Sequence, residues 1–340
     1  MIWSENRYPL AEMNALAGIR MIAALALVGA LAATAQAFPD AYPTRPIHLI
    51  VNFAAGGTGD IVARLIGNRL SSVLGQSVVV ENRPGAGGIL GARDVVNAEP
   101  DGYTLTVAQT PEIAINPFFM KDAGYDPRKD LQAIALTGVV PLALVVPASA
   151  PYSTVAEFVK FLRNPDRPVT FASAGIGTPG HLAGELLRLK LNNNLTHVPY
   201  KGAAPALNDV VGGHVDFYFP GFPAAVPLMQ GGKVKLLAVS TAKRASAAPD
   251  IPSVAEATGI AEFDFALWVG FFGPRALSMD ITKRLNTSID QILLEPGTKT
   301  RLQNDGAEVS ALSIDEFSGF VRAEIAKYQG IIAAANIKPE

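Results

Sequence analysis

The sequence predicts an α/β protein of two lobes, each built on a β-sheet, with a ligand cleft between them. Three observations lead there. The chain has 340 residues, more than a single hydrophobic core ordinarily serves. Short strand-like apolar runs alternate with longer helix-like ones, the βαβ pattern of a parallel sheet. Its conspicuous glycine- and proline-rich turns follow directly on strand-like runs, two in each prospective lobe.

Taken in order, PIHLIVNF (46–53), SVVVEN (77–82) and YTLTVA (103–108) read as strands, and DIVARLIGNRLSSVL (60–74) as the helix after the first. LALVVP (142–147) and VTFASA (169–174) are further strands, accompanied by the helical patterns TVAEFVKFLR (154–163) and HLAGELLRLK (181–190). A second set holds LTHVPY (195–200), VDFYF (215–219) and KLLAVST (235–241), with a helix over ALNDVVGG (206–213) between the first two. The C-terminal third carries the strand WVGFFGP (268–274) and long helices over 281–294 and 314–335, which are expected to return to the first lobe. The stretch AKRASAAPDIPS (242–253) reads as a long ordered loop, and no internal repeat of fixed period is visible. The lobes are expected to comprise residues 38–138 with 259–340, and residues 139–258.

The first segment reads as an address. From Met21 to Ala33 the chain is apolar and uncharged, follows Arg20, and runs into Ala35-Gln36-Ala37. This is the signal-peptide pattern, with cleavage expected after Ala37 and a periplasmic destination. Thirteen helical residues reach only about 20 Å, short of the roughly 30 Å needed to cross a bilayer, so a permanent anchor is the weaker reading. Residues 1–12 make a long, acid-containing preface, which leaves Met13 and Met21 as alternative starts.

Composition excludes several classes. A formal net charge of -2, from 28 basic and 30 acidic residues, supplies no positive field for nucleic acid. The absence of cysteine rules out disulfides and thiolate metal sites, and the four histidines, His48, His181, His197 and His214, have no ligand spacing. No metal, cofactor or catalytic residue is expected. Gly175, Gly177 and Gly180 satisfy GxGxxG, but the following strand LTHVPY offers no acid for a ribose. GxSxG, HExxH and GxxxxGK[ST] do not occur.

In open α/β sheets, ligands lie beyond the carboxyl ends of strands, where glycines let backbone approach and helix N-termini offer free N–H groups. Four stretches occupy that position: Phe53 to Asp60, Gln109-Thr110-Pro111-Glu112, Ser173 to Gly180, and Phe219-Pro220-Gly221-Phe222-Pro223. The first and third are glycine turns opening helices, so Gly56, Gly57 and Gly177 could bring N–H groups to a carboxylate, aided by the hydroxyls of Thr58, Ser173 or Thr178. Simpler roles stand beside these. Asp60 can cap a helix beginning at Ile61, Pro179 suits any helix start, and either glycine turn can serve packing alone. The stretch Arg83 to Gly88 reads as a turn and helix start supporting the first lobe.

The chain resembles the receptor proteins of tripartite tricarboxylate transporters, the Bordetella uptake gene family. The resemblance runs from Tyr42 to about Tyr328 through YPTRPIHLIVNFAAGGTGDIVARLI, VVVENRPGAGGILGA, DGYTL, FASAGIGTPGHLAGELL, VPYKGAAPALNDVVGGHVD and PDIPSVAEATG, with Trp268 and Gly273-Pro274 beyond. It implies a type II-like, Venus-flytrap periplasmic binding protein, with a mixed sheet in each lobe, closing on an organic carboxylate. It also implies that the loops around Gly56 to Asp60 and Ser173 to Thr178 hold the carboxylate, partly through ordered water, and that membrane permease subunits are the partner of a monomeric protein.

Three departures from the family pattern bear on the ligand. Ala54-Ala55 replaces a proline-containing lead-in, and Arg275 to Ser278 replaces a Pro-Ala-Gly-Thr-Pro-like turn. Pro220 stands where many members carry an acid that, in amino-acid binders, meets the ligand ammonium. A buried ammonium here would lack its counter-charge. The expected ligand is therefore a mono- or dicarboxylate without an ammonium group, possibly aromatic in body, packed against Phe53, Phe219 and Phe222, unless those rings serve their own lobes' cores. The alternative function is a ligand-sensing subunit for a membrane two-component system. A secreted enzyme is the weakest reading, since no nucleophile is paired with a base.

Overall fold

The computed structural model describes residues 42–338, apart from 164–167, 192, 305 and 335. The expected signal segment and its cleavage at Ala37 lie outside the described residues. In chain order the elements begin β1 (Ile47–Val51), α1 (Thr58–Leu74), β2 (Val78–Asn82), α2 (Ile89–Val96), β3 (Thr104–Gln109), β4 (Leu131–Pro141) and β5 (Ala143–Pro147). Next come α3 (Val155–Leu162), β6 (Val169–Ser173), α4 (Pro179–Leu191), β7 (Leu195–Pro199), α5 (Ala203–Val211), β8 (Phe217–Tyr218), α6 (Phe222–Gln230) and β9 (Val234–Val239). The chain closes with α7 (Val254–Thr258), β10 (Ala266–Pro274), α8 (Met279–Leu294), α9 (Pro296–Asn304) and α10 (Ile314–Ala334).

Two five-stranded sheets result, ordered β2-β1-β3-β10-β4 and β7-β6-β8-β5-β9. In the first, β1 runs parallel to β2 and β3, and β10 is antiparallel to both β3 and β4. In the second, β6 runs parallel to β7 and β8, and β5 is antiparallel to both β8 and β9. Both sheets are thus mixed, and β1-α1-β2-α2-β3 has the same order as β6-α4-β7-α5-β8. The repeat lies in topology and not in sequence, which is why no fixed period is visible.

Local chemistry sets the element ends. Gly75, at φ 70°, closes α1 in the left-handed conformation that glycine adopts without strain. A reciprocal capping box starts α3, with Thr154 Oγ1 accepting from Glu157 N–H and the Glu157 carboxylate accepting from Thr154 N–H, both at 3.2 Å. Trp268 is fully buried in the first lobe, edge-on to Phe317 and Phe320, and its Nε1–H donates to Glu324 Oε2 at 3.0 Å. Phe158, Phe171, Phe217 and Phe219 form the aromatic centre of the second.

The sequence reading passed over β4, α6 and the short helices α7 and α9. β4, with eleven residues, is the longest strand. It is buried nearly throughout, so LQAIALTGVVP carries no apolar–polar alternation to mark it. α6 contains Pro223 and Pro227, which argue against a helix, yet Pro223 sits in the first turn, where no N–H is required. α1 begins at Thr58, so Asp60 lies in its first turn and is not the cap of a helix from Ile61.

Candidate functional site

Each sheet places its first parallel strand between two parallel neighbours. The loops leaving β1 and β3 diverge, as do those leaving β6 and β8, and an open sheet offers its binding crevice at such points. The four stretches picked out in the sequence meet at one cavity of about 40 Å3 between the lobes. That is space for about three waters. Phe53, Gly57, Thr58, Gln109 and Pro111 line it from the first lobe, and Ala174, Thr178, Gly180, Tyr218, Phe219 and Gly221 from the second. Leu142, between β4 and β5, and Leu267, near the start of β10, also line it.

On the first lobe the cavity meets the N-terminus of α1. Its first ladder bond runs from Ile61 N–H to Gly57 O at 3.0 Å, so the N–H groups of Thr58, Gly59 and Asp60 precede the ladder. The Asp60 side chain turns back into its own lobe. Oδ2 accepts from Gly56 N–H at 2.9 Å and Arg64 Nε at 3.1 Å, and Oδ1 accepts from Asn82 Nδ2 at 3.0 Å. Burial alone would raise its pKa, but the hydrogen bonds from Arg64, Gly56 and Asn82 hold it below the ordinary carboxylate value. Asp60 therefore shapes the Gly56 turn, where φ is +83°, and does not line the cavity.

On the second lobe the cavity meets the N-terminus of α4. Its ladder opens with Leu182 N–H to Thr178 O at 3.1 Å, and Pro179 has no N–H, so Gly180 N–H precedes the ladder. The preceding loop is tied internally. Ser173 Oγ accepts from Gly175 N–H at 3.1 Å and lies 2.7 Å from His197 Nε2, Thr178 Oγ1 donates to Gly175 O at 2.8 Å, and Gly177 N–H donates to His181 Nδ1 at 3.2 Å. Burial, with the nearby His197 and Arg188, pushes His181 down to about 3, so it is neutral and Nδ1 can accept.

Six residues expected to bind ligand line the cavity: Phe53, Gly57, Thr58, Gln109, Thr178 and Phe219. Six do not. Gly56, Asp60, Ser173 and Gly177 build the two turns from behind. Thr110 is fully buried and fastens β10, its Oγ1 donating to Ala266 O at 3.3 Å and accepting from Trp268 N–H at 3.0 Å. Pro220 enters through its backbone, accepting from Ala143 N–H at 2.9 Å. Phe222 packs instead beside Gly306, where a Cβ would lie 2.5 Å from its ring. Tyr218 was read only as part of the strand VDFYF, and Leu142 and Leu267 lacked any site signal, because the crossings between the sheets were not legible.

The lobes touch around the cavity. A Cβ on Gly177 would collide with the Asn116 side chain, lying 2.8 Å from its Cγ, and one on Gly87 would lie 2.8 Å from Ile176 O. The Arg83 to Gly88 stretch thus meets the second lobe as well as supporting the first. Behind the wall, fully buried Glu112 receives Asn52 Nδ2 and Gln109 N–H on Oε1, both at 2.8 Å, and no described residue hydrogen-bonds Oε2. Burial, only partly offset by these bonds, pushes its pKa to about 7.

Among the described residues, no charged side chain lines the cavity. The field there is that of two helix N-termini, one from each lobe, equivalent to roughly half a positive charge apiece. Uncharged walls with two positive dipole ends suit reversible capture of an anion, and no nucleophile–base pair stands among them.

Comparison with known proteins agrees with this architecture. The model of the tripartite tricarboxylate transporter family receptor, TctC, matches residues 62–337. The chain belongs to that family. TctC proteins are substrate-binding proteins of the periplasmic type, not enzymes, and this one is similar to protein BugT of Bordetella pertussis, 31% identical over 94% of this chain and 99% of the relative. Among solved structures it is similar to R. palustris Rpa4515 with adipate, at TM-score 0.85 and 35% identity, covering 88% of this chain and all of that one. It is also similar to MatC of Rhodopseudomonas palustris with bound malate, at TM-score 0.80 and 32% identity, covering 86% of this chain and all of that one.

Proposed function

We propose that this TctC-family protein captures a small organic carboxylate lacking an ammonium group and delivers it to the membrane permease of a tripartite tricarboxylate transporter. The observation that carries the reading is the convergence of the α1 and α4 N-termini on one cavity without a charged side chain. N–H groups ahead of each ladder would hold the carboxylate, with Thr58 and Gln109 beside them and Phe53 and Phe219 along the ligand body. Gly56, Asp60, Ser173 and Gly177 hold the two turns in shape. The adipate and malate named for the two relatives are carboxylates without an ammonium group, and among the described residues no acid lines this cavity to meet one.

In this reading residues 1–37 direct export to the periplasm, and residues 38–138 with 259–340 close on 139–258 as a monomer. A thermal-shift screen against small carboxylates tests it. A true ligand at 100 times its dissociation constant adds about 2.7 kcal/mol of stability. Calorimetry with glutarate against glutamate then tests the ammonium rule. Micromolar binding of glutamate with no response to glutarate would sink it.

A further inference from the structure

We propose that Tyr218 is a ligand-binding residue, whose hydroxyl donates a hydrogen bond to the carboxylate held at the α4 N-terminus. This rests on the carboxylate reading above. Tyr218 lies on β8, between Val145 of β5 and Ala172 of β6. Alternation along the strand turns its side chain to the face opposite Phe217 and Phe219, which meet edge-to-face in the aromatic centre of the lobe. Tyr218 lines the cavity. Gly180, whose N–H precedes the α4 ladder, is its neighbour there, since a Cβ on Gly180 would lie 3.4 Å from Tyr218 Cε2. Cε2 is bonded to the ring carbon that bears the hydroxyl, so the phenol stands beside the helix start.

That hydroxyl is unmatched within the protein. Tyr218 is 2% exposed, and no described residue hydrogen-bonds its side chain. Burial raises its pKa with no charge or hydrogen bond contributing, so the phenol keeps its proton and meets an anion as a donor. A buried hydroxyl without a partner costs free energy that a ligand oxygen restores. The other uncharged polar side chains of the wall divide in the same way. Thr178 Oγ1 is committed to Gly175 O at 2.8 Å. Thr58 and Gln109, 3% and 5% exposed, have side chains without a hydrogen-bond partner among the described residues. Three unmatched side chains therefore border one cavity, Thr58 and Gln109 from the first lobe and Tyr218 from the second. Closing on a carboxylate brings side-chain donors from both lobes to one anion. Such a charge-assisted bond is about twice as strong as a neutral one, which suits a wall whose described side chains carry no charge.

Tyr218→Phe removes the hydroxyl and keeps the ring. Calorimetry on the full mature protein with glutarate, adipate, malate and benzoate, beside urea unfolding without ligand, tests the assignment. Whichever of these acids the wild type binds is expected to lose at least ~10-fold in affinity for the variant. The ligand-free variant is expected to be as stable as the wild type or more so, since the hydroxyl had no protein partner to lose. A smaller loss of affinity in folded Tyr218→Phe overturns the assignment and leaves the carboxylate reading standing. A ligand-free variant less stable than the wild type overturns it too, because the hydroxyl would then have its partner within the protein. If none of the four acids binds at millimolar concentration while the wild type is folded, the carboxylate reading falls and this assignment with it.

Discussion

Ser240 and Leu142 are joined by two hydrogen bonds across the hinge: Leu142 N–H donates to Ser240 Oγ at 2.9 Å, and Ser240 N–H donates to Leu142 O at 3.0 Å. The same hydroxyl donates to Phe265 O at 2.6 Å, and Phe265 N–H donates to Ser240 O at 3.0 Å. One buried serine thus fastens the outgoing crossing at 142 to the chain returning toward β10 at 265.

Ser240→Ala strands the Leu142 N–H and the Phe265 carbonyl in a buried site. The expected cost is on the order of 1–3 kcal/mol. Urea unfolding measures it, and a change below about 0.5 kcal/mol, the scatter of an ordinary surface substitution, would mean that the hinge does not depend on this hydroxyl.

Gly57 and Gly177 look alike in the sequence but differ in the structure. Gly177 has φ +70° and faces Asn116 across the cleft, whereas Gly57 has φ -83° and a Cβ there would meet only Ala54 O, at 3.6 Å. Gly177→Ala is therefore expected to fold with roughly 1–2 kcal/mol of backbone strain. It should resist closure, losing at least ~10-fold in affinity for its best carboxylate if about 1.4 kcal/mol of the closing contact is lost. Adding Asn116→Ala should recover part of that loss. Small-angle scattering with ligand gives the independent readout, since the Gly177 variant should keep an open radius of gyration. Gly57→Ala carries no strain, so any affinity it loses reports the methyl group at the cavity wall.

Much of this architecture was legible because its signals are local. The strand PIHLIVNF followed by a glycine turn and an amphipathic run specifies β1, the turn and α1 within thirty residues. All four post-strand stretches reach the cleft for the same reason, since a strand's carboxyl end is written in the order of the chain. What stayed hidden depends on which segments cross. Leu142 and Leu267 look like ordinary core leucines until the two sheets are known. Thr110 looked like a ligand group because its neighbour Gln109 is one in position, but alternation along the chain turns its hydroxyl onto β10. Ser173 and Asp60 are polar residues at the right loops whose hydrogen bonds are spent within their own lobes, a distinction that only geometry makes.

Glu112 offers the last test, through pH. Its carboxyl stands at the π-helical turn Pro111–Ile115, bracing the backbone of Gln109 behind the cavity wall. Burial raises its pKa from 4.5 to about 7 in the folded protein, against an ordinary value in the unfolded chain. Below pH 4.5 both states are protonated and the residue costs nothing. Between pH 4.5 and 7 the unfolded chain binds fewer protons than the folded one, so stability falls as pH rises. Above pH 7 both are ionised and the loss is complete, on the order of 3 kcal/mol for a shift of this size. Glu112→Gln mimics the protonated form and removes the titration. The variant should match the wild type near pH 4.5 and exceed it increasingly toward pH 7.5, read as the difference between two urea-unfolding series. A constant difference across that range would show that Glu112 ionises at an ordinary pH and that burial does not govern it.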